Sequence, residues 1–265
     1  MNLELKGRLA LVTGSTRGLG KAIAMALAQE GAEVIINGRH EESVLKTMKE
    51  ISNKHRVTTW ACPVDVTDGE AIKTFFRLGS VAAKGRLDIL VNNVGNIEKF
   101  GSFTELKDED WLRCYDLTFM SAVRFTREAL PFLTASGSGR IINISSLISH
   151  QPGNNFPHYA PAKAALNNLT KYLATILGKK KILVNAICPS NVDYTEMSED
   201  RAKREHISTD EAWWKIFEEE KNKSPLGRAG SLEDVANLVV YLASDKAKFL
   251  TGHIYNVDGG ITRGL

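Results

Sequence analysis

Cysteine is scarce in this chain: three residues in 265, Cys62, Cys114 and Cys188, lie far apart with no Cys-x-x-Cys pair. A disulfide framework or a cysteine zinc site is thereby excluded, and a reducing, cytoplasmic setting is expected. The plain reading of all three is as small buried hydrophobes. An excess of one charge is missing too. With 34 basic and 31 acidic side chains the net charge is +3, so neither nucleic acid nor an anionic membrane is expected as a partner. No apolar run approaches the ~18–20 residues of a membrane span. The opening Met1-Asn2-Leu3-Glu4-Leu5-Lys6 carries an acid and has no long apolar stretch of the signal-peptide kind. His150, His158 and His253 show no metal-ligand spacing, and no metal site is expected.

Short β-branched runs do alternate with longer amphipathic stretches, the pattern of βα units wound around a parallel sheet. Strands are predicted at Leu9–Val12, Val34–Ile36, Thr58–Pro63, Ile89–Val91, Arg140–Ile144 and Leu183–Ile187, with an edge strand at His253–Val257. Helices are predicted at Ala22–Gln29 and Glu42–Ser52. Uninterrupted apolar strands imply burial on both faces. The expectation is an α/β fold: one domain over residues 1–265, a doubly wound parallel sheet with helices on both faces. No linker, repeat or low-complexity tract divides it. The least regular stretch is 191–226, with the pair Trp213-Trp214 and the acidic run Glu218-Glu219-Glu220, which reads as a solvated helix face.

Directly after the first strand stands Thr13-Gly14-Ser15-Thr16-Arg17-Gly18-Leu19-Gly20, leading into a helix. Glycines let such a turn tighten and let backbone approach a pyrophosphate, while the helix N-terminus offers free N–H groups. Further along, Tyr159-Ala160-Pro161-Ala162-Lys163 puts a phenol and an ammonium one helical turn apart. A free tyrosine titrates near pH 10, and a neighbouring cation draws that value toward neutrality. Tyr159 is therefore a candidate proton donor to a carbonyl, or base toward an alcohol. Ser145-Ser146 ends a predicted strand, where hydroxyls face the ligand crevice of such sheets.

With its Gly-x-x-x-Gly-x-Gly spacing and these motifs in order, nearly the whole chain resembles the short-chain dehydrogenase/reductase family, in particular its 3-oxoacyl-[acyl-carrier-protein] reductase-like members. The resemblance implies a Rossmann fold and a nicotinamide cofactor bound by Gly14, Ser15, Thr16, Arg17, Gly18, Leu19 and Gly20. Asp65 and Val66 would lie beside the adenine, with Asn92, Val94 and Gly95 of Asn92-Asn93-Val94-Gly95 after the fourth strand. Tyr159 and Lys163 would meet the nicotinamide ribose, Pro189 and Val192 the nicotinamide. Family spacing selects Ser146, not Ser145, to orient the carbonyl. Thr118 stands where the family has an asparagine that positions a water beside the lysine.

NAD-preferring Rossmann folds carry an acid about 20 residues past the glycine turn to hold the ribose 2′-hydroxyl. Here Gly38 takes that place and Arg39 follows, so NADP(H) is the expected cofactor, with NAD(H) open. Arg17 adds a second cation, and a solvated loop cation is the bland alternative for Arg39. The expected reaction is hydride transfer between nicotinamide and a small ketone or 3-oxoacyl group, with an alcohol, sugar or polyol dehydrogenase as the alternative. A nucleotide-binding protein of weakened catalysis is a third reading, favoured only by Thr118. Candidate substrate residues are His150, Phe156, Tyr194, Trp213 and Trp214, with Pro152 and Asn154 nearby. The stretch 191–226 resembles a substrate lid. Lys179-Lys180-Lys181 reads as a solvated helix end or a patch for an acyl carrier protein, and a homo-oligomer (tetramer or dimer) is implied by the resemblance alone.

Overall fold

The computed structural model describes residues 3–152, 156–192 and 195–263. In chain order the elements are β1 Leu9–Val12, α1 Gly18–Gln29, β2 Glu33–Gly38, α2 Glu41–His55, β3 Thr59–Pro63, α3 Gly69–Leu78, α4 Ser80–Lys84, β4 Ile89–Asn92, α5 Asp108–Tyr115, α6 Ser121–Ser136, β5 Arg140–Ile144, α7 Tyr159–Leu177, β6 Leu183–Pro189, α8 Thr195–Glu205, α9 Thr209–Lys223, α10 Leu232–Ala243 and β7 Ile254–Val257. The strands form one sheet in the order β3-β2-β1-β4-β5-β6-β7, every pairing parallel. None of the described helices is long and apolar enough to cross a membrane.

Side chains alternate across a strand, so each apolar strand feeds two cores at once. Ala10 and Val12 of β1, with Ile89 and Val91 of β4, pack under Ile23 and Leu27 of α1 and Val235 and Val239 of α10. Leu9, Leu11 and Leu90 face the other way, against Phe76 of α3, Phe125 of α6 and Leu173 of α7. Each such fully buried Leu, Ile or Phe contributes roughly 1.5–3 kcal/mol of transfer free energy. The strand order reverses between β1 and β4, and at such a point the crossovers diverge and leave a crevice at the strands' carboxyl ends.

Two sequence expectations are corrected here. Residues 191–226 are not irregular but carry the helical pair α8 and α9, unread in sequence because α8 is polar around most of its surface. Ser208 caps α9 by accepting from the Glu211 N–H at 3.1 Å, and Arg201–Glu205 and Glu211–Lys215 make i,i+4 pairs. Of the acidic run, Glu218 and Glu219 are solvated but Glu220 is only 6 % exposed, pointing inward from α9. Lys179, Lys180 and Lys181 form an exposed turn after α7.

The crevice is braced by one buried amide. Asn37, at the end of β2, accepts from the Gly14 N–H at 3.0 Å and donates to the carbonyls of Cys62 (3.0 Å) and Val64 (2.9 Å). Three strand ends are thus tied to one side chain. Asn37→Ala removes the side-chain partner of the Gly14 N–H and the Val64 carbonyl, while the Cys62 carbonyl keeps the Val64 N–H. The expected cost is about 2–3 kcal/mol in urea unfolding, with weakened nucleotide binding; an unchanged midpoint would refute the bracing role.

Candidate active site

Over the carboxyl ends of the sheet lies a cavity of about 720 Å³. The β1–α1 turn supplies Gly14, Thr16, Arg17, Gly18, Leu19 and Gly20, β2 supplies Gly38 and Arg39, and the segment after β3 supplies Asp65 and Val66. Val94 and Gly95 come from the β4 end, Ser146 from β5, Tyr159 and Lys163 from α7, and Pro189 and Val192 from the β6 end. Because the strand order is also the spatial order, Arg39 and Asp65 stand on one flank and Pro189 and Val192 on the other.

Why the turn needs its glycines is local geometry. Gly14 and Gly18 have φ of +63° and +52°, in the left-handed region, and a Cβ on Gly20 would run into the Gly14 carbonyl. Arg17 occupies the N-cap of α1 and offers no side-chain acceptor there, so the first-turn N–H groups and the positive helix end meet the cavity. A dinucleotide pyrophosphate fits that cradle.

Lys163 is the unusual group. It is 1 % exposed, its Nζ donates to the Ile144 carbonyl at 2.6 Å, and burial pushes its pKa down to about 8. Nζ lies 5.4 Å from the centroid of the Tyr159 ring. A Cβ on Gly95 would fall 2.5 Å from Nζ and 3.2 Å from the Tyr159 hydroxyl. Phenol and ammonium therefore converge on one bare spot of backbone. Ser146 begins the short 3-10 turn Leu147–Ser149, and its carbonyl accepts from Ser149 Oγ at 2.6 Å. Ser149 Oγ in turn accepts from Asn167 Nδ2 at 2.8 Å, one turn beyond Lys163 on α7. The helix that carries Tyr159 and Lys163 thus also holds the loop that carries Ser146.

Near Arg39, burial raises the Asp65 carboxyl, but hydrogen bonds from Thr67 and then the charges of Arg39 and Arg113 outweigh it and leave the pKa low. Arg113 pairs with Glu98 at 2.9 Å, and both line the cavity.

Several expected site residues do not line this cavity. Ser15 is fully buried, donating to the Val12 carbonyl at 2.8 Å and accepting from the Asn37 N–H at 3.0 Å; it braces the turn from beneath. Asn92 is buried too, donating to Thr126 and Asn143 at 3.0 and 2.8 Å. Thr118 has no solvent exposure; it lies in a π-helical turn, Asp116–Met120, with Cys114 Sγ 4.0 Å from its hydroxyl. His150 is exposed and lines neither this cavity nor a second one beside it. Trp213 and Trp214 are also absent from both walls. Trp213 stacks on Phe217 at 5.2 Å and packs against the buried pair Ile216 and Ala229, while Trp214, about a quarter-turn round the helix, is 59 % exposed. Phe156 lines the second cavity instead. Tyr194 and Asn154 lie outside the described residues. Asn37, Glu98, Arg113, Ser149 and Asn167 were not anticipated. Asn37 is a polar residue inside an apolar strand, and Asn167 lies at Lys163 plus four, so both had a usable signal.

Comparison with known proteins gives a consistent result. A family model described as Enoyl-(Acyl carrier protein) reductase matches residues 14–262. The uncharacterized oxidoreductase YvrD of Bacillus subtilis is 37% identical over 269 residues, covering 100% of both chains. The 3-oxoacyl-[acyl-carrier-protein] reductase FabG of Aquifex aeolicus is 34% identical over 263 residues, covering 98% of this chain and 100% of its own. Among solved structures, L-sorbose reductase from Gluconobacter frateurii, complexed with NADPH and L-sorbose, superposes with a TM-score of 0.91 at 32% identity, over 100% of both chains.

The buried lysine sets a pH dependence. The folded chain holds its proton with a pKa of about 8, against 10.5 for a solvated lysine. Between those values the unfolded chain binds more protons, so this group's cost to stability is full below the window and vanishes as pH rises through it. Wild type should therefore gain stability over Lys163→Met between about pH 8 and pH 10.5 in urea unfolding. Parallel pH curves for the two proteins would contradict the burial of a titrating ammonium.

Proposed function

The chain belongs to the short-chain dehydrogenase/reductase family, and from that premise we propose that it is an NADP(H)-dependent oxidoreductase interconverting a carbonyl and a secondary alcohol. The observation that carries the proposal is the convergence of Ser146, Tyr159 and Lys163 with the glycine turn on one cavity. The nicotinamide, when bound, supplies or accepts hydride at the substrate carbon. Tyr159 gives a proton to the carbonyl oxygen in reduction and takes it back in oxidation. Ser146 holds and polarises that oxygen. Lys163, desolvated beside Gly95, favours the phenolate that proton transfer leaves behind. The first-turn N–H groups of α1 receive the pyrophosphate, and Pro189 and Val192 border the nicotinamide.

NADP(H) is preferred because Gly38 puts no carboxylate at the end of β2 while Arg39 and Arg17 stand at the cavity. The complexes of L-sorbose reductase with NADPH support the same choice. The α8–α9 pair serves as the substrate lid. Likeness to FabG favours a 3-oxoacyl substrate, and likeness to L-sorbose reductase favours a sugar. A homo-oligomer suits the exposed Leu112 and Tyr115 of α5 and Tyr172 and Ile176 of α7, and a reducing cytoplasm suits three free, buried thiols.

Two measurements test this reading. In fluorescence titrations NADPH should bind at least about tenfold tighter than NADH, and Arg39→Ala should abolish most of that margin; tighter NADH would overturn the cofactor assignment. Tyr159→Phe should lower kcat about 10²–10⁴-fold with nucleotide binding largely retained. Full turnover in that variant would remove the tyrosine from the chemistry.

A further inference from the structure

Beside the cofactor cavity lies a second one of about 340 Å³, sharing Phe100 and Asn191 with the first. It abuts the catalytic helix directly, since Phe156, on its wall, accepts the Tyr159 N–H through its carbonyl at 3.1 Å. Its walls are unusual for a site that would hold an acyl chain. The lid helices line it with Arg201, Arg204, Glu205, Glu219, Glu220 and Lys223, three cations against three anions. Apolar surface comes from Ile216 and from Phe100 and Phe156, whose rings meet edge to face at 6.0 Å.

Most of these charges are paired with one another. Arg201 is bonded to Glu205 at 2.7 Å and to Glu219 at 2.8 Å. Glu220, its side chain 7 % exposed, accepts from Lys223 at 2.8 Å. An anionic ligand would have to displace a paired carboxylate and then sit beside it, a like-charge contact. An alkyl or acyl chain would strip water from six charged groups and return no hydrogen bond. A neutral ligand bearing several hydroxyls does neither. Each hydroxyl donates to a carboxylate and accepts from a guanidinium or ammonium, and both bonds are charge-assisted.

We propose that this second cavity is the substrate-recognition site and that it takes a neutral polyhydroxylated ketone or alcohol, of the size of a ketohexose or hexitol, with Glu220 and Arg204 among its hydroxyl partners and the Phe100–Phe156 pair against its C–H face. The substrate class rests on the oxidoreductase reading above, whereas the binding site does not. Recognition is built on hydroxyls, and a site that hydrogen-bonds a hydroxyl rejects analogues lacking it far more strongly than an apolar pocket rejects an added group.

The test uses the full chain. With NADPH, kcat/KM is measured for the ketohexoses, for methyl butyl ketone as an alkyl ketone of equal length, for acetoacetyl-CoA and for levulinate as a carboxylate-bearing ketone. Hexitol binding to the NADP⁺ complex is followed by calorimetry. At least one ketohexose should exceed each of the other three by about 100-fold or more. Glu220→Gln should lower the ratio of ketohexose to methyl butyl ketone by about tenfold or more, and Arg204→Met serves as the second variant should the first fold poorly. Preference for the alkyl ketone, the thioester or levulinate overturns the proposal, as does a ratio that neither variant moves. Absence of both ketohexose turnover and hexitol binding overturns it as well. Hexitol binding, weakened by the variants, without turnover of any carbonyl would sustain the recognition site and overturn the oxidoreductase reading instead.

Discussion

Every strand of the sheet runs in the same direction, and much else depends on that. Parallel neighbours cannot be joined by tight hairpins, so the chain must cross over through helices, and those helices cover both faces. All carboxyl strand ends then fall on one rim, and the reversal of order between β1 and β4 opens that rim into a crevice. Residues separated by more than a hundred positions, Arg39 and Lys163 among them, meet there with no contact specified locally.

Within that rim, polar groups are buried together with their partners. The Asn37 amide ties the glycine turn to β3, Thr13 Oγ1 accepts from the N–H groups of Asn93 and Val94, and Ser15 locks the turn to β2. Each satisfies groups that would otherwise be orphaned in a dry interior. Lys163 is held the same way, through the Ile144 carbonyl, while its charge remains uncompensated by any carboxylate in that bond. This is the condition under which an ammonium influences a neighbouring phenol most strongly, because low dielectric strengthens the interaction. The Asn167–Ser149–Ser146 chain extends the bracing to the third member of the set.

The α8–α9 pair obeys a different logic. Ion pairs Arg201–Glu219 and Glu205–Lys215 join α8 to α9, and Ile216 of α9 packs on Ala229 beyond it. The same charges give the neighbouring cavity its polarity.

Much was legible in the sequence. Uninterrupted apolar strands alternating with amphipathic stretches determined the fold class, and the glycine turn and Tyr159-x-x-x-Lys163 marked residues that line the crevice, because each is a local pattern that the backbone converts directly into geometry. Strand limits shifted by one or two residues where pairing extended β2 to Gly38 and β6 to Pro189. The tertiary structure alone decided which polar residues of those motifs face the cavity. Ser15, Asn92 and Thr118 sit in the expected places along the chain, yet their side chains turn inward, since a motif records position and not which side of a turn is solvated. It also decided that Trp213 packs against Ile216 and Ala229 while Glu220, read as solvated, is buried on the wall of the second cavity. Burial depends on what another helix covers, and no local pattern in α9 carries that information.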